Sequence, residues 1–452
     1  MPRILRENAL CALLAAGSCA AVAWLGLASF VWNDYETEAK PSFEALAHGH
    51  VMSFLRLAPP YGGSLVERAP FALLAGLWGG DSLAIYRMVA LPCLLAMSVF
   101  AVWLCRRMRN EGRPALARAL AVGVCVANPM ALSALELGHP EELLGACLCV
   151  WAVVLASRGR SVWAGVLLGL AIANKEWAVI AAGPVLLALP RQSHSGGPAS
   201  AARAILSCIA STCVVSATIL APLLLASSAF ATGARAVIST PSNIFQPWQL
   251  WWFFGSHSAP LHGSFGKPLP GYRTGPAWAG AISHPLVVAV GVGVAVAVWL
   301  HYRREGREPG ERGAMLTLAL VLLLRCMLDT WNTGYYMLPF TIALLVWELR
   351  GTRPLPILVL TSTVAPWFAL QELSARGVSP DGQAALFLIW TVPLAIWLAV
   401  RLFVRPESVI AAAWLRPVSG NDGEIFGQTR QYLMSALAHD HKILDPHSKH
   451  TG

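Results

Sequence analysis

The sequence predicts an all-α polytopic membrane protein, and three observations carry that prediction. Of its 452 residues, 56% are hydrophobic and only 13% are charged, whereas soluble domains carry about 25% charged residues. The mean hydropathy is +0.57. Apolar runs of about 20 residues, the length that crosses a bilayer as a helix, recur along the chain. These runs do not alternate polar and apolar side chains, so a transmembrane β-barrel is excluded. Helices remain, because backbone in lipid must satisfy its own hydrogen bonds.

The first span is expected from Ala9 to Trp32, with Arg3 and Arg6 fixing its start in the cytoplasm. It is longer than the apolar core of a cleavable signal peptide, so it reads as a retained helix. A long outer segment follows, Asn33 to Asp81. Within it, Pro41 to Ala58 places Phe43, Leu46, Ala47, Val51, Phe54 and Leu55 near helical spacing. That pattern suits a helix lying in the membrane interface, and Leu65 to Trp78 suits a second. Later spans are expected near 82–104, 115–133, 141–157, 161–174, 176–190, 203–226, 284–302, 313–328, 335–349, 354–371 and 384–404, about twelve in all. Arg160 and Arg191 flank 161–190, which is too short for two full crossings. It reads as two short helices meeting at Asn174-Lys175-Glu176, tolerated where protein or a wet cavity surrounds them. A second large outer segment, 227–283, is rich in Gly, Pro and aromatics, notably Trp248, Trp251, Trp252, Phe253 and Phe254. Residues 1–405 thus form one transmembrane domain, and 406–452 a polar cytoplasmic tail.

The formal net charge of +9 comes mostly from arginines in the connections between spans, such as Arg106, Arg107, Arg158, Arg303, Arg304, Arg350 and Arg401. This asymmetry places both termini inside and faces the arginines toward anionic lipid, not nucleic acid. The ten cysteines lie in or beside apolar spans, with no disulfide or zinc spacing, and read as small packing residues. The histidines of the tail lack metal spacing. No Walker sequence is present, which argues against a nucleotide-driven pump.

Polar residues at membrane depth gather at the ends opposite the arginines. Each costs roughly 2.5–3.5 kcal/mol to insert, so such a cluster marks a site. Asp34 and Glu36 follow the first span at once and suit a carboxylate that takes a proton from a hydroxyl; the alternative is ordinary loop solvation. His139-Pro140-Glu141-Glu142 opens a span, where Pro and acids are also common helix starts; His139 would face a sugar hydroxyl or phosphate, with Glu142 beside it. Lys175 is the sole lysine between Lys40 and Lys267, a snorkelling side chain or a cation for an anion. Arg325 lies a turn inside its span and suits phosphate, although Asp329 four residues on offers a structural partner. Asn332, Tyr335 and Tyr336 would line the same rim. Together these residues point to chemistry outside the cytoplasm on something the membrane delivers.

The acidic residue after the first span, the Gly138-His139-Pro140-Glu141-Glu142 turn, the Gly165 to Lys175 segment and the Asp329 to Tyr336 stretch resemble the GT-C superfamily of membrane glycosyltransferases. The closer likeness is to bacterial polyprenyl-phosphate-mannose-dependent enzymes of the family 87 type. The superfamily often pairs two acids in its first loop, which Asp34 and Glu36 match loosely. The resemblance implies an inverting transfer, from a polyprenyl-phosphate-linked sugar to a glycan or glycolipid acceptor, at the outer face of the plasma membrane and without metal or cofactor. Two rivals remain. A transporter or flippase of a lipid-linked or anionic solute would show repeats and charges near the bilayer centre, and neither is visible. A non-catalytic assembly subunit would tolerate loss of Asp34.

Overall fold

The structure, a computed structural model, describes residues 34–190, 198–228, 230–233, 245–257, 261–262, 268–351 and 355–404, with 16, 17 and 20. Most of the expected first span, the tail after Arg405 and parts of 191–283 lie outside the described residues. The rest is mostly helical, with turns and loops between the helices and two antiparallel two-residue strands, β1 (Leu261–His262) and β2 (Pro268–Leu269). The described chain up to Phe403 forms one compact unit.

A π-turn over Tyr35–Ala39 leads into α1 (Lys40–Ala47), followed by α2 (Val51–Leu57) and α3 (Gly63–Leu77). These occupy the first outer segment. Helix α3 is two-faced: Leu65, Arg68, Ala72 and Ala75 are buried, while Leu73, Leu74 and Leu77 are exposed. Helix α4 (Ser82–Asn110) starts at Asp81, whose carboxylate caps the Ala84 N–H at 2.8 Å. The expected span at 115–133 breaks in two, α5 (Ala115–Val126) and α6 (Pro129–Leu137). The cause is local: Asn128 caps the Met130 N–H, and Pro129 takes the first helical position. Helix α7 (Glu141–Ser157) keeps its expected bounds. The break at Asn174-Lys175-Glu176 is also present, with α8 (Ser161–Asn174), a 3-10 turn Glu176–Ala181 and α9 (Ala182–Ala188). Then come α10 (Pro198–Ala226), α11 (Ala277–Arg304), α12 (Gly310–Leu328), α13 (Leu338–Leu349), α14 (Ile357–Trp367) and α15 (Pro380–Phe403).

Among the described residues, five helical stretches are long and apolar enough to cross a membrane, namely α4, α10, α11, α15 and the broken pair α5–α6 taken together, and shorter apolar helices accompany them. The protein is a multi-pass helical membrane protein. Helices α7, α12 and α13 form the centre, with nearly every side chain of α13 buried. Most of the cysteines pack there as buried thiols: Cys93, Cys125, Cys147, Cys149, Cys208 and Cys326. Cys105 is buried in the same core but, against the expectation of no disulfide, is disulfide-bonded.

Close backbone approach holds α8 against α10. Gly165 and Gly169 are spaced four apart, and a Cβ at Gly165 would collide with Ser211 Oγ and the Cys208 carbonyl. At Gly169 it would come within 2.8 Å of the Thr212 carbonyl oxygen. Thr212 Oγ1 and Ser216 Oγ donate to the Gly165 and Gly169 carbonyls at 3.1 and 3.0 Å. Small residues and hydroxyls are how helices associate where lipid is as apolar as leucine. Gly165→Leu should therefore destabilise the fold by about 1–3 kcal/mol or more, the range for overpacking a tight contact. A thermal shift of the purified variant checks this, and an unchanged melting temperature would refute the tight contact.

The two ends of the bundle differ. At one end Arg107 bonds Glu311 at 2.7 Å, Arg350 bonds Glu111 at 3.0 Å, and Ser157 Oγ meets Glu311 at 3.4 Å. Helix α12 runs from this end to Arg325, fourteen residues and about 21 Å away. There the second polar cluster forms.

Candidate active site

Three helix ends and one turn converge on this cluster: the start of α7, the end of α8, the end of α12 and the turn that begins at Asp34. Gly138 sets the meeting of the turn with α7. It ends α6 in the left-handed region at φ 92°, and the His139 N–H closes onto the Ala134 carbonyl at 2.7 Å. A Cβ at Gly138 would lie 2.6 Å from Tyr35 Cβ and 2.9 Å from its backbone nitrogen. Glycine thus lets the Asp34-Tyr35 backbone lie directly against His139.

His139 uses both ring nitrogens. Nε2 lies 3.1 Å from Asp34 Oδ2, and Nδ1 lies 2.8 Å from Glu141 Oε1. Burial and the nearby Lys175 oppose a charge on this ring, but Glu141 and the two carboxylate bonds outweigh them and push its pKa up to about 9. An imidazolium can donate at both nitrogens. His139, expected to face substrate, is held between two carboxylates.

Glu141 is fully buried and meets three cations. Arg68 Nη2 from α3 approaches at 3.2 Å, Lys175 Nζ at 3.3 Å, and His139 at 2.8 Å. Lys175 also lies 3.9 Å from Glu142 and sits over the Tyr61 ring at 4.2 Å. It is an ion-paired, buried lysine, not a snorkelling one. Asn174 Nδ2 donates to the Glu141 carbonyl at 2.9 Å, which fixes the end of α8 to the start of α7. Tyr61 donates to Glu38, and burial and the Glu38 charge raise its pKa.

Glu36 and Asp34 diverge. A strand would have put positions 34 and 36 on one face, but this segment is a helical turn, where they point apart. Glu36 is exposed and pairs with Lys40. Glu38, four residues from Asp34, is the acid that turns inward.

Arg325 is buried, and its guanidinium carbon lies 4.2 Å from the Tyr336 ring centre and 4.8 Å from that of Trp177. Its Nε and Nη1 have no hydrogen-bond partner. The alternative partner for Arg325 that the spacing offered, Asp329, is engaged elsewhere: it receives His284 Nε2 at 3.3 Å and the Trp331 N–H at 2.9 Å. Burial raises the Asp329 carboxyl, but His284, Arg325 and the Trp331 N–H together hold it below the usual range. Glu142, also fully buried, accepts from Trp177 Nε1 at 3.3 Å and leaves its Oε2 unpartnered. Tyr335 packs against the His139 ring at 4.9 Å and against Tyr336 at 5.1 Å. Asn332 faces elsewhere, donating to the Trp248 carbonyl at 2.6 Å. That bond, with Leu250 N–H to Met327 O at 2.8 Å and Trp251 Nε1 to Leu328 O at 2.8 Å, straps the aromatic loop across the end of α12. Trp252 bonds Asp381 at 2.8 Å, and Arg273 grips the same carboxylate through two 2.7 Å bonds.

The model of Glycosyltransferase family 87 matches residues 59–327, more than half of the chain. The chain belongs to this family. A search of the curated proteins finds no match. Family 87 membership makes the protein a membrane glycosyltransferase. The matched stretch holds Arg68, His139, Glu141, Glu142, Lys175 and Arg325, while Asp34 and the Asp329 to Tyr336 rim lie outside it. The structure brings the two parts of the glycosyltransferase together. Among the described residues, no group of three or more His, Cys, Asp or Glu is placed to hold a metal ion. Arg68, Tyr61 and Trp177 are members of the cluster that sequence reasoning passed over, and Glu141 entered it only as part of the His139-Pro140-Glu141-Glu142 motif, with no role of its own. Arg68 carried one signal: with Glu67 it forms the only pair of charges in the otherwise apolar stretch 65–78.

Proposed function

We propose that this glycosyltransferase moves a sugar, mannose by the family resemblance, from a polyprenyl-phosphate donor to a hydroxyl of an envelope glycan or glycolipid, at the outer face of the plasma membrane and with inversion. One observation carries the reading: a part-exposed carboxylate, Asp34, is held by a bonded histidine, and the edge-to-face Tyr335–Tyr336 pair links that histidine to a buried guanidinium, Arg325, with unpartnered N–H groups. Asp34 takes the proton of the acceptor hydroxyl as its oxygen attacks the anomeric carbon. The bond from that carbon to the phosphate oxygen breaks, and the phosphate leaves with the electron pair. Arg325 offers its free donors to the charge that develops there. Lys175 is largely neutralised by Glu141 and Glu142, so it contributes position more than net charge. Tyr335 and Tyr336 offer flat faces beside the reacting centre, and the lipid tail stays in the bilayer.

The transporter reading needs charges midway along the spans. The cluster instead crowds one end of α7, α8 and α12. The test is direct. The full-length protein in lipid vesicles is given polyprenyl-phosphate mannose labelled in the sugar, with lipid and glycan extracts of a deletion strain as acceptors. Labelled, anomerically inverted product and released polyprenyl phosphate are expected. Donor that crosses the vesicle membrane without turnover would overturn the enzyme reading in favour of a flippase.

A further inference from the structure

We propose that Glu141 is the positioning residue of this site, fixing Asp34 through His139 and Lys175 directly, so that one buried carboxylate sets the geometry of the base and of the cationic side together. The inference rests on the reading of Asp34 as the base.

The geometry is a chain of donors and acceptors. Glu141 Oε1 receives His139 Nδ1 at 2.8 Å and Lys175 Nζ at 3.3 Å, and its Oε2 faces Arg68 Nη2 at 3.2 Å. His139 then passes its other N–H to Asp34 Oδ2 at 3.1 Å. The Glu141 side chain is fully buried, whereas that of Asp34 is 39% exposed. The rigid member is therefore deep and the reactive member is at the surface. A carboxylate so placed is limited to one orientation by its partners, as a catalytic group held through a second residue requires. Arg68 comes from the outer-segment helix α3, so the same carboxylate also joins that helix to the bundle. Arg68 is itself anchored: its Nε and Nη2 bond Ser64 at 3.0 and 3.1 Å, and its guanidinium lies over Phe43.

The arrangement sets a pH dependence. His139 faces Asp34 on the entering turn, Tyr61 before α3, Glu141 on α7, Lys175 after α8 and Tyr335 after α12. Only the imidazolium can donate to both carboxylates at once. With its pKa raised to about 9, the double bond is present at neutral pH and is lost as pH rises through about 9. Neutralising Glu141 removes the main charge that favours the imidazolium and leaves Lys175, which opposes it. The ring should then lose its proton at lower pH.

The experiment compares Glu141→Gln, His139→Gln and Asp34→Asn in the vesicle assay with polyprenyl-phosphate mannose across pH 5.5–10, alongside thermal stability. Glu141→Gln should move the alkaline fall of kcat at least tenfold in proton concentration toward acid. It should also raise the KM for the donor, through the displaced Lys175. His139→Gln should lower kcat and flatten the alkaline limb altogether, with donor KM little changed. If Glu141→Gln does not fold, the His139→Gln profile alone decides. A wild-type alkaline limb in a folded Glu141→Gln or in His139→Gln overturns the inference. An active Asp34→Asn instead overturns the base assignment on which it rests, and the two failures are told apart by that variant.

Discussion

Asp34→Asn should reduce transfer by roughly a hundred- to ten-thousand-fold, the span that general base catalysis contributes. The change keeps the shape of the side chain and removes only the carboxylate that would accept the acceptor proton. The amide oxygen that replaces it can still accept a bond from His139 Nε2, so folding should be nearly unaffected, and the His139–Glu141 bond stays. Binding of the donor should also survive, because the donor phosphate is assigned to Arg325. Single-turnover transfer, donor binding and melting temperature of the purified variant, measured together, check all three. Near wild-type turnover would move the base elsewhere. Glu38 would be the next candidate, since it shares the Asp34 face and bonds Tyr61. Glu36, which the sequence offered as the second acid, is turned away and paired with Lys40.

That exchange of Glu38 for Glu36 shows where sequence reading stops. The order of acids after the first span is visible in the chain, but which of them faces inward depends on the local period. A strand step and a helical turn give opposite answers. Longer patterns were easier to read. Apolar length located the helices well, because lipid permits few alternatives. Helix α7 and the break at Lys175 came out where hydropathy and charge placed them. Arg68 was missed for a different reason. On a two-faced surface helix a charge is expected to face water, and only packing against α7 turns it toward Glu141. The partners of Asp329 were out of reach for a third. Four-residue spacing makes an Arg–Asp contact available on a helix, but α12 ends at Leu328, so Asp329 leaves the helical path and meets His284 on α11.

Arg325→Ala should lower kcat/KM for the donor by roughly a hundred- to a thousand-fold, the size of effect seen when one preorganised donor to a developing negative charge is removed. Acceptor KM should change little. The competing account is structural: Arg325 could exist to balance Glu142, its principal electrostatic partner, and breaking a buried pair costs about 3–5 kcal/mol. The two accounts separate in a double-variant cycle. If the arginine serves Glu142, Arg325→Ala should melt early, and adding Glu142→Gln should restore stability. If it serves the donor phosphate, activity toward polyprenyl-phosphate mannose stays lost in the double variant whatever stability does. Neutralising Asp329 should rescue neither property, because that carboxylate already belongs to His284 and the Trp331 N–H. Arg325→Lys sharpens the distinction. It keeps the charge that Glu142 needs but not the planar fork that grips a phosphate, so a stable, donor-defective lysine variant supports the phosphate role. A fully active one would reduce Arg325 to a counter-charge.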